Sequence, residues 1–308
     1  MPHDLVRGIL KNNQGSISKA ITLIDNSQTP PEPFFSDIHK NAFNSVRIGI
    51  TGPPGAGKST LTNSLIESCL ANDKTVGVIA VDPTSPFTGG ALLGDRVRMN
   101  KYVWDNRVFL RSMGSHCNLG GLSSKVQEIG DVLAASGKDF IFFETVGVGQ
   151  GEHDIINVAD ISIVVLVPES GDEIQLMKAG LIEIADIFVI NKSDREGANR
   201  IAAILKNILH IFKPQNKLEP PVFNTIANRN EGVVELFNGI GSYLDLIKNE
   251  GILEIRRLER YRKRVYNLIR NRLEDSFWDS DKIDQLNQST KSLDRTTDAP
   301  HIIAKNLF

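Results

Sequence analysis

The chain has 308 residues, 41% of them hydrophobic, and its 35 Lys and Arg against 37 Asp and Glu give a formal net charge of −2. This length allows one large or two modest domains with a sizeable core. The near-zero charge argues against a protein that coats nucleic acid, because such proteins usually have a strongly basic domain. No apolar stretch approaches the roughly 20 residues of a membrane span. With two cysteines and charged residues in its first turns, the sequence predicts a cytoplasmic protein without disulfides or a secretory leader.

Residues 1–44 are predicted to form a helical N-terminal extension and a linker. Apolar residues recur at helical spacing from Leu5 to Ile24, and a proline-rich break follows at 30–33.

Residues 45–246 are predicted to form an α/β domain with a mostly parallel, doubly wound sheet. Short Val- and Ile-rich runs alternate there with amphipathic segments, which is typical of strands buried on both faces by helices. The predicted strands are 46–50, 76–81, 107–111, 139–144, 161–167, 186–190 and 221–225. Ligands of such sheets bind at the carboxyl ends of the strands.

A glycine-rich run follows the first predicted strand and opens a helical pattern. It fits G-x-x-x-x-G-K-[ST], in which backbone N–H groups surround phosphate oxygens. The α/β domain is therefore predicted to be a P-loop NTPase. Lys58 is predicted to neutralise the β- and γ-phosphates and Ser59 to hold Mg²⁺, while the N-terminus of the following helix attracts the anion. The predicted nucleotide-binding residues here are Gly52, Pro53, Pro54, Gly55, Ala56, Gly57, Lys58, Ser59 and Thr60.

Asn191-Lys192-Ser193-Asp194 follows a later predicted strand and fits the N-K-x-D pattern that selects guanine. The Asp194 carboxylate can accept hydrogen bonds from guanine N1–H and from the 2-amino group, whereas adenine offers neither donor in that arrangement. A site built for two hydrogen bonds rejects a base that lacks them. Asn191 and the Lys192 stem are predicted to brace the loop and cover the base, so GTP and GDP are favoured over ATP.

The segments between these loops are predicted to sense the γ-phosphate. Asp82 ends a strand, and Asp95 lies in the loop that follows. Either acid could complete a Mg²⁺ shell directly or through water, and a loop-stabilising role for Asp95 is the alternative. Glu144 stands where GTPases usually have the Asp of D-x-x-G, and Gly147 is predicted to place its N–H near the γ-phosphate.

The catalytic group stays open at this stage. Ras-like GTPases orient the attacking water with a glutamine directly after that glycine, but this chain has Val148. Slow basal hydrolysis is therefore expected, with Lys58, Asp95 and Glu144 as the catalytic candidates and a residue brought by a partner as the alternative.

Residues 247–308 are predicted to form a helical arm, because a long charged helix with one apolar face begins near Gly251. Its basic residues between 256 and 264 suit an acidic partner or nucleic acid, but the interleaved acids and the apolar face favour a solvated dimerisation arm.

Several segments together resemble the methylmalonyl-CoA mutase accessory GTPases, a family also labelled arginine/ornithine transport system kinases. The resemblance runs through the whole chain and is most specific in the central domain. The matching segments are 81–96, 119–122, 144–150, 171–175 and 191–194.

The resemblance implies a G-protein chaperone that gates adenosylcobalamin delivery to a cobalamin-dependent acyl-CoA mutase and protects that mutase, with the adenosyltransferase of that mutase as a further partner. It also implies a homodimer, Mg²⁺ bound by Ser59, Asp82, Asp95 and Glu144, and a third switch-like loop, 168–175, in which Asp172 and Glu173 respond to the mutase. The late guanine loop corresponds to Ile226, Ala227 and Asn228, with Ile226 in place of the usual serine. Further departures are His116, Cys117 and Gly151, which bear on switch kinetics and partner identity.

Two other functions are the alternatives. A P-loop kinase or ATPase linked to basic amino-acid transport would need an acceptor pocket, for which the sequence gives no support. A GTPase that assembles a metal centre would need His and Cys clusters, which six histidines and two cysteines do not supply.

Overall fold

The computed structural model describes residues 2–26, 32–83, 102, 104–115, 121–145, 157–170, 181–211, 218–290 and 299–308. Packing groups the chain into two compact units, Met1–Arg256 and Arg257–Phe308. The first unit contains a sheet and its covering helices, and the described part of the second is helical.

The described strands form one sheet in which every pairing is parallel. They are β1 Val46–Thr51, β2 Val76–Pro83, β3 Val108–Ser115, β4 Phe140–Thr145, β5 Ile161–Leu166, β6 Ile187–Asn191 and β7 Val222–Thr225. Their spatial order is β3-β2-β4-β1-β5-β6-β7. The seven strands predicted from the sequence are confirmed. β3 continues past its predicted end because it keeps pairing with β2 as far as Pro83, although polar residues interrupt its apolar run.

Helices cover both faces of the sheet, as a doubly wound fold requires. The described helices are α1 Pro2–Leu10, α2 Gln14–Asp25, α3 Glu32–Lys40, α4 Lys58–Ala71, α5 Gly121–Ala135, α6 Leu181–Ile184, α7 Ala198–Ile211, α8 Val233–Asn249, α9 Ile252–Phe277, α10 Ser280–Ser289 and α11 Pro300–Leu307. Successive side chains of a strand point to opposite faces. Phe142 accordingly packs in the cluster built with α4 and α8, and its neighbour Phe143 packs in the cluster built with α5. Burial on both faces explains the uninterrupted apolar runs.

The N-terminal helices add a layer over α5. Their buried residues, among them Ile9, Ile17, Ile21 and Phe34, share one cluster with the inner face of α5. The segment interpreted as a linker contains α3. Its proline, Pro33, stands in the first turn, where the missing N–H costs no intrahelical hydrogen bond.

The long helix α9 starts inside the first unit, where Leu253 is buried. Beyond it, the helix exposes large apolar side chains at helical spacing, namely Ile255, Leu258, Tyr261, Val265 and Leu268. None of the described helices is both long and apolar enough to cross a bilayer.

Candidate nucleotide-binding site

The loop from Gly52 to Gly57 joins β1 to α4 and depends on its glycines. Gly52 has φ 140° and Gly57 has φ 87°, a region that residues with a side chain rarely adopt. A Cβ at Gly52 would lie 2.1 Å from the carbonyl oxygen of Val165, and one at Gly57 would lie 2.4 Å from Nδ2 of Asn191. The loop therefore packs closely against both β5 and the end of β6.

Lys58 is the first residue of α4 and is buried. Its Nζ donates to the carbonyl oxygens of Gly52, at 2.7 Å, and Pro53, at 3.0 Å, so the side chain reaches back across the loop. The ammonium charge and the positive end of the α4 dipole thus lie at the same place, which makes the loop an anion-binding site.

Ser59 and Glu144 meet beside this loop. The Ser59 hydroxyl donates to Oε1 of Glu144 at 2.6 Å, and the Glu144 side chain is buried at the end of β4. Because β4 lies next to β1 in the sheet, a residue 85 positions away in sequence reaches α4. Two hard oxygen donors beside a phosphate loop are the type of ligand that Mg²⁺ prefers.

The structure does not test the other predicted metal and switch residues, because they or their side chains lie outside its described part. Asp82 lies near the end of β2, one position after Val81, which pairs with Thr145 of β4, but its side chain falls outside the described part of the chain. Asp95 and Gly147 also lie outside the described residues, as do Asp172 and Glu173.

Asn191 joins three segments of the site. Its Nδ2 donates to the carbonyl oxygen of Ala56 at 2.9 Å. Its Oδ1 accepts from Thr225 Oγ1 and from the Ala227 N–H, both at 3.1 Å. This side chain is only 2% exposed, so these bonds replace water that it has lost.

Lys192 and Ser193 of the N-K-S-D loop also bond to neighbouring segments of the site. Lys192 has φ 55°, and its Nζ donates to the carbonyl oxygen of Gly55 at 2.8 Å. Ser193 is fixed to Thr225, whose carbonyl oxygen accepts from both its N–H and its hydroxyl at 3.1 Å. Asp194 is exposed next to them, where a ligand can reach its carboxylate.

The turn after β7 is held against α4. It forms a short 3-10 helix, Ala227–Arg229, and the Ala227 carbonyl oxygen accepts from the Ser64 hydroxyl at 2.9 Å. Asn228 is exposed, whereas the Ile226 N–H donates to the carbonyl oxygen of Glu231. The Ala227 N–H is bonded to Asn191 Oδ1, so a base that accepted from this N–H would have to share or displace that bond.

Sequence reasoning missed two charged contacts of this site. Arg229 Nη2 lies 3.8 Å from Oδ2 of Asp194. Arg195 forms an ion pair with Glu169, and its hydrogen bond lowers the pKa of that carboxyl. Neither arginine belongs to a motif; their closeness to the guanine loop was the available signal.

Comparisons with known proteins agree on one family. A family model described as "Methylmalonyl Co-A mutase-associated GTPase MeaB" matches residues 17–282. A Pyrococcus horikoshii protein described as a GTPase is 44% identical over 269 residues, which cover 86% of this chain and 85% of that protein. The Mus musculus protein named "Methylmalonic aciduria type A homolog, mitochondrial" is 30% identical over 291 residues, covering 89% and 70%. The crystal structure of a LAO/AO transport system kinase, 23% identical, covers 99% of this chain and 96% of its own with a TM-score of 0.73, which shows the fold.

Proposed function

This chain belongs to the family of methylmalonyl-CoA mutase-associated GTPases, and we propose that it hydrolyses GTP as the chaperone of a cobalamin-dependent acyl-CoA mutase. In this role it gates the loading of adenosylcobalamin and protects the mutase, a methylmalonyl-CoA mutase or a related enzyme. The match over residues 17–282 carries the proposal, and the name of the mouse relative supports the link to methylmalonyl metabolism.

Guanine selection is assigned to the N-K-S-D loop. Asn191 holds that loop to the phosphate loop through Ala56, and Lys192 adds a second bond through Gly55. Asp194 then stands exposed beside a braced framework and reads the two donors of guanine. A base without those donors leaves the carboxylate unpaired, which costs affinity.

Magnesium suits the oxygen donors of this site. Ser59 and Glu144 would hold it, with Asp82 and Asp95 completing the shell directly or through water. The bound ion would neutralise charge on the β- and γ-phosphates. Lys58 contributes a positive charge to the same phosphates, and Glu144 is in addition the candidate that can hold a proton or orient water near Ser59.

The helical arm supplies the surface for a homodimer. Apolar side chains of α9 recur on one face and are exposed, with Ile255 at 57% and Tyr261 at 52%. Burying such a stripe against a second copy would remove it from water. The mutase and its adenosyltransferase are proposed as the other partners.

The experiment measures GTP hydrolysis by the purified full-length chain, with and without a cobalamin-dependent acyl-CoA mutase from the same genome, and with ATP as the control substrate. We expect the chain to hydrolyse GTP but not ATP, and to do so slowly without the mutase, because Val148 stands in the place of the water-orienting glutamine. The mutase should increase this rate severalfold. Equal turnover of ATP would overturn the guanine assignment in favour of the kinase or ATPase alternative.

A variant pair separates docking from chemistry. Asp172→Asn is expected to reduce the stimulation by the mutase, and Asp284→Asn on the exposed face of α10 serves as the matched control. A GTP-specific rate that no such mutase changes would contradict the proposed partner but not the GTPase.

A further inference from the structure

Arg229 faces the carboxylate that is proposed to read guanine. Its Nη2 lies 3.8 Å from Oδ2 of Asp194, and the side chains are 58% and 38% exposed. Among the described residues, this is the salt bridge that Asp194 makes. Arg229 belongs to a different segment, 35 positions later, so its placement beside Asp194 depends on the fold.

The backbone that carries Arg229 is fixed at several points. The Arg229 N–H donates to the carbonyl oxygen of Ile226 at 2.9 Å and closes the 3-10 turn. Ala227, in the same turn, is bonded through its N–H to Asn191 and through its carbonyl oxygen to Ser64 of α4. The turn is therefore attached both to the guanine loop and to the helix behind the phosphate loop.

Asn230, the next residue, also attaches this turn to α4. Asn230 has φ 58°, and its Nδ2 donates to Oε2 of Glu67 on α4 at 3.0 Å. The base of the Arg229 side chain is thus bracketed by two contacts to α4. The fixed turn sets where the Arg229 side chain begins, and its planar guanidinium presents donors in a fixed geometry to the neighbouring carboxylate.

Guanine recognition requires an oriented carboxylate. The N1–H and the 2-amino group lie in one plane, so both oxygens of Asp194 must lie in that plane to accept both bonds. A carboxylate offers about four lone-pair positions, so Oδ2 can accept from the base while Arg229 stays at ion-pair distance from it. Competition between the two is therefore not required.

We propose that Arg229 is a positioning residue for guanine recognition, which orients the Asp194 carboxylate for its two-point contact with the base. This inference rests on the proposed function, because it assumes that Asp194 reads guanine. Exposed ion pairs contribute little, and the expected effect on affinity is therefore about two- to fivefold.

The test compares binding of GDP and inosine diphosphate by calorimetry, using the full-length chain and its Arg229→Gln and Arg229→Lys variants. Inosine diphosphate keeps N1–H and lacks the 2-amino group, so it makes a one-point contact that tolerates a rotated carboxylate. Arg229→Gln should weaken GDP about two- to fivefold and inosine diphosphate less, while Arg229→Lys should retain most of the preference. Arg200→Gln, on an exposed position of α7, is the control.

Ionic strength provides a second measurement. The Debye length falls to about 3 Å at 1 M salt, so the difference between the wild-type chain and Arg229→Gln should shrink there. Equal weakening of both nucleotides, or unchanged GDP affinity in Arg229→Gln, would overturn the role of Arg229 alone. Calorimetry of ADP with the wild-type chain tests the premise. A wild-type chain that did not prefer GDP to ADP would overturn the proposed function as well.

Discussion

Asn191 is the residue on which the candidate site depends most. One buried amide serves three partners: the Ala56 carbonyl, the Thr225 hydroxyl and the Ala227 N–H. Its neighbour Gly57 has no room for a side chain because the Nδ2 atom stands in that place. The phosphate loop and both guanine loops are therefore held in register by a side chain that need not touch the phosphates.

Asn191→Ala should lower both stability and nucleotide affinity. Removing the amide leaves buried backbone groups without their partner, a loss that costs about 1–3 kcal/mol. We expect the free energy of unfolding in urea to fall by about 1–3 kcal/mol and the Kd for GDP to rise about tenfold or more, the equivalent of ~1.4 kcal/mol.

Asn199→Ala, at an exposed position of α7, is the matched control and should leave both quantities nearly unchanged. If Asn191→Ala lost stability but bound GDP as tightly as the wild-type chain, the amide would be structural only.

Motif spacing predicts local chemistry but not the contacts that tertiary packing decides. The phosphate loop and the N-K-S-D loop can be proposed as a nucleotide site from the sequence, because their residue types and their positions after strands are typical of such a site. Ser64 and Arg229 were missed because they act across elements, on the Ala227 carbonyl and on Asp194. The bond between the Ala227 N–H and Asn191 was also missed, because the sequence shows which groups can donate but not which acceptor is nearest.

At the scale of the elements, a buried polar network lies at the amino ends of β5 and β6, at the opposite end of these strands from the candidate nucleotide site. Asp186, just before β6, accepts from the N–H and the hydroxyl of Ser162, from the Tyr243 hydroxyl at 2.8 Å and from Arg256 at 2.7 Å. Burial, together with the Asp186 charge, raises the pKa of Tyr243, which therefore remains a donor. This network joins β5 and β6 to α8 and to the first turn of α9.

Asp186→Asn should destabilise the chain strongly without changing nucleotide affinity. The substitution leaves the half-buried Arg256 guanidinium without its counter-charge, and losing a hydrogen bond to a charged group costs about 1.5–3 kcal/mol. The free energy of unfolding in urea should fall by about this amount. Asp186 lies at the amino end of β6 and Asn191 at its carboxyl end, so the Kd for GDP of the folded fraction should stay within twofold, about 0.4 kcal/mol.

Asp284→Asn, exposed on α10, should change stability by less than about 0.5 kcal/mol. A loss of similar size in both variants would show that the network contributes nothing beyond a surface charge.

Strand positions were predictable, but strand order was not. The uninterrupted apolar runs identify β1, β5 and β6 because each is buried on both faces. The order places β4 between β1 and β2, although β3 comes between β2 and β4 in the chain. That arrangement puts Glu144 beside Ser59, and nothing in the spacing of the two residues encodes it.

At the scale of the whole molecule, the N-terminal helices pack as part of the first unit. The sequence predicts a helical extension and a linker at residues 1–44. In the structure, the apolar sides of α1, α2 and α3 share a core with α5. Polar contacts add to this attachment: Asn12 and Gln14 donate to the carbonyl oxygen of Asn106, which also accepts from Lys138 at 3.1 Å. Burial lowers the pKa of Lys138 to about 8, so the contact carries a desolvation cost that the packing must offset.

Ile21→Ala tests whether these helices unfold together with the sheet. The side chain is completely buried in the shared cluster, and such truncations cost about 2–5 kcal/mol. If residues 2–25 and the sheet form one cooperative unit, the variant should lower the guanidinium midpoint of a single transition, with far-UV circular dichroism and GDP-binding competence lost together. Leu10→Ala, in α1 with 44% of its side chain exposed, should shift the midpoint far less. Two separate transitions, with GDP still bound after the first, would instead show that α1 and α2 unfold independently of the sheet. Ile21→Ala would then lower the midpoint of the first transition only.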